Sequence, residues 1–479
     1  MTQTRRFILF ELNEVPIRVV RHYADHHPHS AFAKVLRHGS KWETFTPDRG
    51  HLSPWITWPT LHRGVPSTEH QITALGQHVA DVDGLYPPIW ALLTHAGKRV
   101  GLFGSLHSYP LPSNADLYDF YVPDTFAAGP ETVPTELSAF QQFNLRMVDR
   151  SGRNVSTGVP AREALAFLRR AVRNGLRVGT VAKVARQVAT ERILRHRVGR
   201  RRTVQSLLAF DLFIAQLKEK QPDAAFFFTN HVASSMHRYW PATFTGDYKR
   251  TTWSKAWVRR YSGELDYTMG EADRMLAELV EFANEHPDYV VLVTGSMGQE
   301  AVDSPEKQTK TEVLVRDLAK FMRQLEVNDW HRRRTMEPTY TLAFDAEADA
   351  ERFLARCSTV KIAGEPLECR RVDSRSVEFV LGHNNVADDE FKVTIGNRSV
   401  EPMDAGLSNV AIDDEVGSAA YHTPEGMLLV YDPRETGTER ASKDPISTTR
   451  LAPTLLALQG VRPPPYMEQP IEQLLEDAL

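Results

Sequence analysis

Three short apolar runs in this 479-residue chain each give way to polar residues able to do chemistry. Asn13 and Glu14 follow FILFEL (7–12), Asn230 and His231 follow AAFFFT (224–229), and Ser296 and Gln299 follow YVVLVT (289–294). Side-chain amides and hydroxyls can donate to an anion or a developing oxyanion, and a carboxylate can hold a cation or a proton. A lone Asn after a strand usually serves a turn. Three such ends in one chain point instead to a shared pocket, because ligands of open α/β sheets gather beyond the carboxyl ends of the strands. Thr57 adds a hydroxyl in SPWITWPTLHRGVPSTEHQI (53–72). Pro59 suits a first helical turn, and Gly64 with Pro66 suits its end. Thr57 would then sit at a helix N-terminus, where free N–H groups favour an anion. It is either a cap or a nucleophile beside an anion site, and its position leaves both open.

The elements that must place these residues are legible as runs and periods. RVGLFG (99–104) and MLLVYD (427–432) join the three runs above, and none alternates, as expected for strands covered on both faces of a mainly parallel sheet. Helical patterns such as 262–286 fill the spaces between them. The expected fold is α/β, with a doubly wound, mainly parallel sheet in a single domain over 1–479. Two insertions interrupt it, a helical cap or lid over 110–222 and a small α+β subdomain over 305–405. Within the first, 162–202 carries twelve arginines and one lysine against Glu163 and Glu191. That reads as a solvated positive face, or as a lid attracting an anionic substrate or a membrane surface.

Composition excludes little. The chain is 42% hydrophobic and 25% charged with net charge −4, ordinary for a globular protein. Two cysteines, Cys357 and Cys369, imply no disulfide framework, so a reducing, cytoplasmic setting is expected. The apolar run near the N-terminus stops at Glu11, too short for a signal peptide or a membrane span.

The order of motifs resembles the alkaline phosphatase superfamily, in its type I phosphodiesterase/nucleotide pyrophosphatase branch. Leu12-Asn13-Glu14 stands where that branch has Leu-Asp-Gly, and Thr57-Trp58-Pro59 where it has a Thr-x-Pro-like helix start. Pro66…His70-Gln71-Ile72 matches its Pro…His-Gly-Ile, and TNHVASSMHRYW matches a strand ending in Asp with a downstream His and Trp. YHTPEGMLLVYDP and ISTTRLAPTLLALQGVRPP resemble its late His segment and closing helix. The resemblance covers 6–105, 224–300 and 418–479 and implies the fold above. In that family two zinc ions about 4 Å apart clamp both oxygens of the displacement. Here the first Asp is Asn13, the second is Asn230, the Asp-His pair is Ser296-Met297, and Ser234 replaces the His expected four residues after Asn230. Only Thr57 and His422 match directly, with His237 and His231 as replacements. Four positive charges would meet almost no compensating charge, and amide and hydroxyl oxygens are poor zinc ligands. The dinuclear site is therefore expected to be absent. No cofactor is expected, and a single divalent ion, zinc or manganese, on Glu14, His237 and His422 is the alternative.

Two classes of function fit. One is an enzyme hydrolysing a phosphate or sulfate ester metabolite or transferring its group. There Thr57 is nucleophile or anion ligand, His237 or His422 is acid or base, and Asn13, Asn230 and Gln299 are oxyanion donors, with Glu14, His231 and Ser296 in the binding set. The other is an inactive relative that binds an anionic ligand or a protein partner. A nucleic-acid partner is not expected, since no recognition motif accompanies the basic stretch. Oligomeric state is left open.

Overall fold

The computed structural model describes residues 4–149, 170–249, 253–302, 311–335, 337–411, 419–435 and 444–475. Its centre is an eight-stranded sheet containing β1 (Arg6–Leu12), β2 (Ser40–Phe45), β3 (Val100–Phe103), β4 (Phe120–Val122), β5 (Ala224–Thr229) and β6 (Tyr289–Thr294). The spatial order is Ile446–Ser447, β2, Glu425–Tyr431, β6, β1, β5, β3, β4. β1 pairs in parallel with both β5 and β6, and only Glu425–Tyr431 runs against its neighbours.

The unbroken apolar runs have the reason expected of them. On β1, Ile8, Phe10 and Leu12 enter one hydrophobic cluster while Phe7 and Leu9 enter the cluster on the opposite face. Each such fully buried side chain contributes roughly 1.5–3 kcal/mol. The helix expected over 262–286 forms as Glu264–Glu285 and sends Leu265, Met269, Leu276 and Leu279 into the first cluster. Three members of the sheet were not legible as apolar runs. β2 alternates, β4 has three residues, and Ile446–Ser447 has two. Because β4 lies within 110–222, that range is not helical throughout. Its longer helices among the described residues are Ser138–Asp149, Val178–Ile193 and Arg201–Lys220, and the start of the arginine-rich stretch, 162–169, lies outside the described residues.

The second interruption has a core of its own, built by Phe321, Tyr340, Phe353, Val377 and Phe379. Thr339–Phe344, the helix Glu347–Cys357 and Val360–Ile362 give the expected strand–helix–strand order. Thr311–Val315 and Leu407–Ala411, paired antiparallel, form the two-stranded ribbon that joins it to the rest of the chain. Arg370 Nη2 donates to the Thr73 carbonyl (3.3 Å) and Arg334 Nη1 to that of Ala127 (2.6 Å), fixing the subdomain against loops beyond the sheet.

Candidate functional site

The carboxyl ends of β1, β5 and β6 do converge, and Glu14 is the centre. The chain leaves β1 through a left-handed residue, Glu14, at φ 59°, a conformation that costs a non-glycine residue on the order of 1 kcal/mol. Its side chain is buried at 2% exposure. Glu14 Oε1 accepts from Asn13 Nδ2 at 2.7 Å, and Oε2 accepts from Gln299 Nε2. The same Oε2 lies 3.0 Å from His237 Nε2 and 3.3 Å from His422 Nε2.

Both imidazoles are held from behind. His237 Nδ1 is 2.7 Å from the Ala420 carbonyl, and His422 Nδ1 is 2.7 Å from the Leu52 carbonyl. A carbonyl only accepts, so each Nδ1 carries hydrogen, and the Nε2 that faces Glu14 is a lone pair when the ring is neutral and an N–H donor when it is charged. This backbone pinning of the far nitrogen is the usual second layer of support for metal-ligating histidines. One ligand atom from each of Glu14, His237 and His422 lies within 4.8 Å of the other two.

The sequence explains how residues so far apart in the chain meet. His237 is on the helix His231–Thr243, which contains Pro241. Proline has no N–H, so the His237 carbonyl loses its helical donor. Ala419 N supplies the bond instead at 2.7 Å, drawing the strand Ala420–Thr423 onto the helix. That strand pairs with β7 (Gly298–Ala301), and His422 lies directly opposite Gln299, so their side chains share a face.

The amide roles follow from their neighbours. Trp58 Nε1, a donor only, bonds Asn13 Oδ1 at 2.7 Å, which turns Asn13 Nδ2 toward Glu14 and toward Asn230 Oδ1 (2.7 Å). Both Asn13 protons are thus used, and Asn13 positions Glu14 rather than donating to a ligand. Gln299 Nε2 serves Glu14 and the Ala233 carbonyl (3.3 Å), leaving Oε1 buried with no partner. Gln299 therefore offers the site an acceptor, not the donor expected of it. Asn230 is exposed and keeps an uncommitted amide N–H₂ beside the cluster.

Thr57 and Ser296 are brought together, but apart from the carboxylate. Their hydroxyls are 2.8 Å apart and fully buried, and Thr57 Oγ1 also donates to the Ser53 carbonyl at 3.2 Å. The helix begins at Pro54, not near Pro59, so Thr57 lies past the free N-terminal amides, and its own N–H already bonds Ser53 O. It is neither cap nor member of a helix-terminal anion site. Pro59 instead deprives the Trp55 carbonyl of its helical donor, and His107 Nε2 fills the gap at 2.9 Å.

His231 is taken out of the site. Nδ1 bonds Thr229 Oγ1 (2.7 Å) and Nε2 donates to the Thr268 carbonyl (3.2 Å), both on the far side of its helix. Burial pulls its pKa down to about 4, so it is a neutral core histidine. Glu14 responds oppositely. Burial alone would raise it, but the charges of His422 and His237 and their hydrogen bonds hold it well below the carboxylate range. His422 is pulled down by burial, yet Glu14 and the Leu52 carbonyl together raise it.

Two features were missed by sequence reasoning. Trp58 orients Asn13, and its only signal was adjacency to Thr57. Arg202 Nη1 and Arg238 Nη1 converge on Ser234 Oγ at 2.7 and 3.0 Å. Ser234 and Arg238 line a small pocket with His231, Glu264 and Thr268, on the flank of the helix that His231 occupies rather than that of His237. The arrangement defines an α/β protein with a carboxylate–histidine cluster at the carboxyl edge of its sheet. No protein-family model matches the chain, and no curated protein matches its sequence.

Proposed function

We propose that the chain is an enzyme acting on a phosphate or sulfate ester, by hydrolysis or group transfer, with one divalent cation held by Glu14, His237 and His422. In this reading it is a divergent relative of the alkaline phosphatase superfamily that has exchanged two zinc ions for one metal. The carrying observation is the convergence of three electron-pair donors, Glu14 Oε2 and two Nε2 atoms, whose far nitrogens are already committed to carbonyls. Such a cluster needs a cation between its members, a proton or a metal ion. Two His and one carboxylate with an open side suit zinc or manganese. The old dinuclear ligand set does not fit, since Asn13 is spent on Glu14 and Asn230, Ser296 on Thr57, and Met297 is buried apolar.

A bound ion would supply Lewis acidity toward an ester oxygen. The protein's own groups would do the rest. Asn230 donates to the anion, and Gln299 Oε1 accepts from a hydroxyl or water that enters. Thr57 and Ser296 line the wall. An alternative, an inactive relative that binds an anion, is favoured by one observation: the Thr57 hydroxyl is committed to Ser53 and Ser296, with no base bonded to it. Elemental analysis of unsupplemented protein separates the two when paired with turnover of a panel of phosphate and sulfate esters. One ion per chain, lost in Glu14→Ala and His422→Ala together with turnover, is expected. No ion above background and no turnover with added zinc or manganese would leave only binding.

A further inference from the structure

The helix Val178–Ile193 packs Val181 and Val184 against the core and yet carries a second apolar stripe outward. Its buried residues are the polar Thr180, Gln187 and Glu191. Val178, Ala182, Ala185, Val188, Ala189 and Ile193 are exposed, Val178 at 74% and Ile193 at 83%. At 100° per residue these six lie on one side of the helix, opposite the buried three. An ordinary surface helix needs only its inward apolar side, so a second apolar stripe left in water marks a surface meant to be covered.

The charges around the stripe select what covers it. Arg186 and Arg192 lie on the same side and are exposed, as are Val172 and Arg173 just before the helix and Arg195 just after it. The helix has one carboxylate, Glu191, and it is buried and paired with Arg201. Lys183 and Arg177 reach inward to Glu271 and Glu278, which leaves the outer face without an acidic residue. A nucleic-acid backbone would reward the arginines and waste the valines and Ile193. An anionic bilayer surface rewards both, because apolar side chains enter the acyl boundary while cations meet the headgroups. Among the described residues no helix is long and apolar enough to cross a membrane, so the mode is lying on the surface.

We propose that this helix docks the protein peripherally on an anionic membrane surface. The proposal does not depend on the metal or the ester chemistry. The test is co-sedimentation of the full chain with vesicles of phosphatidylcholine alone or mixed with phosphatidylserine, at low and high salt, beside sedimentation velocity without lipid. Binding to the mixed vesicles, weakened by salt and absent on phosphatidylcholine, is expected. Arg173→Gln/Arg186→Gln/Arg192→Gln should weaken it about a hundredfold, from roughly fivefold per charge near the surface. Val178→Ser/Ile193→Ser, which alters only exposed side chains, should weaken it while leaving the circular dichroism unchanged. No pelleting with anionic vesicles, or pelleting unaffected by either variant, overturns the proposal. So does a dimer that Val178→Ser/Ile193→Ser converts to monomer without lipid binding by the parent, because the stripe then covers a second copy.

Discussion

Replacing Glu14 by Gln preserves shape and removes one charge, so its effect separates electrostatics from packing. In the parent, Oε1 accepts a hydrogen bond from Asn13 Nδ2 and Oε2 one from Gln299 Nε2. A Gln amide must present N–H₂ at one of these positions. At the Oε1 position it would oppose Asn13 Nδ2, which cannot turn because Trp58 holds its oxygen. At the Oε2 position it would oppose Gln299 Nε2, but it could donate to the Nε2 lone pairs of His237 and His422. Gln299 can then rotate its unpartnered Oε1 into the gap, at the cost of setting Nε2 away from Ala233 O. The fold should therefore survive. Loss of a charge-assisted hydrogen bond costs about 1.5–3 kcal/mol, the expected drop in stability by urea unfolding of metal-free protein. Metal affinity should fall further than the 10–100-fold typical of losing an outer-shell partner, since a ligand's charge is gone. Isothermal titration with zinc and with manganese reads it. Parent-like affinity in Glu14→Gln would refute the assignment of Glu14 as a ligand, and collapse of the fold would refute the role given to Gln299.

Trp58→Phe leaves Asn13 Oδ1 buried without its donor and should cost about 1–3 kcal/mol, with metal affinity reduced as Glu14 loosens; unchanged unfolding would contradict the orienting role of the indole. Gln299→Leu should lower metal affinity about 10–100-fold and, by stranding Glu14 Oε2 and the Ala233 carbonyl, cost about 1–3 kcal/mol of stability; titration and urea unfolding of the purified variant check both. The Glu14–His422 pair should contribute most to the stability of the metal-free protein between the ordinary carboxylate and imidazole pKa ranges. The depressed Glu14 contributes stability that disappears as pH falls through its folded value, and the raised His422 contributes stability that disappears as pH rises through its own. Urea midpoints across pH, flattened in His422→Ala, test this. His231, held neutral down to about 4, contributes stability that is fully present above its unfolded pKa. That stability is lost as pH falls from about 6.5, on the order of 3 kcal/mol by pH 4. His231→Gln, which keeps a donor for Thr268, should remove most of that acid loss, and a parent-like pH profile would overturn it.

What was legible in the sequence was whatever depends on local pattern. Unbroken runs such as Phe7–Leu12 mark strands covered on both faces because each residue must find apolar cover on one side or the other. Alternating β2 and the two-residue strand at Ile446 carry no such mark, since their place depends on partners far along the chain. Strand ends predicted that Asn13, Glu14, Asn230, Ser296 and Gln299 gather on one side of the sheet. They could not predict which proton each amide spends where. Asn13 proved committed because Trp58 approaches it, a tertiary fact. His231 looked like Asn230's neighbour in a pocket, but successive helical residues point about 100° apart, and its ring faces the core. Thr57 was misplaced by reading Pro59 as the helix start when Pro54 served.

Pro241 has a mechanical meaning as well as a structural one. By freeing the His237 carbonyl for Ala419 it couples a helix to the strand that carries His422, and the His237 Nδ1–Ala420 bond doubles the link. The two histidines are therefore tied to each other through backbone, and the strand of His422 continues at once into Glu425–Tyr431 of the same sheet whose β1 leads to Glu14. The three ligand atoms are thus braced by one connected frame, with the imidazoles 3.0 and 3.3 Å from the carboxylate. A cation that needs another spacing must strain that frame rather than turn one side chain.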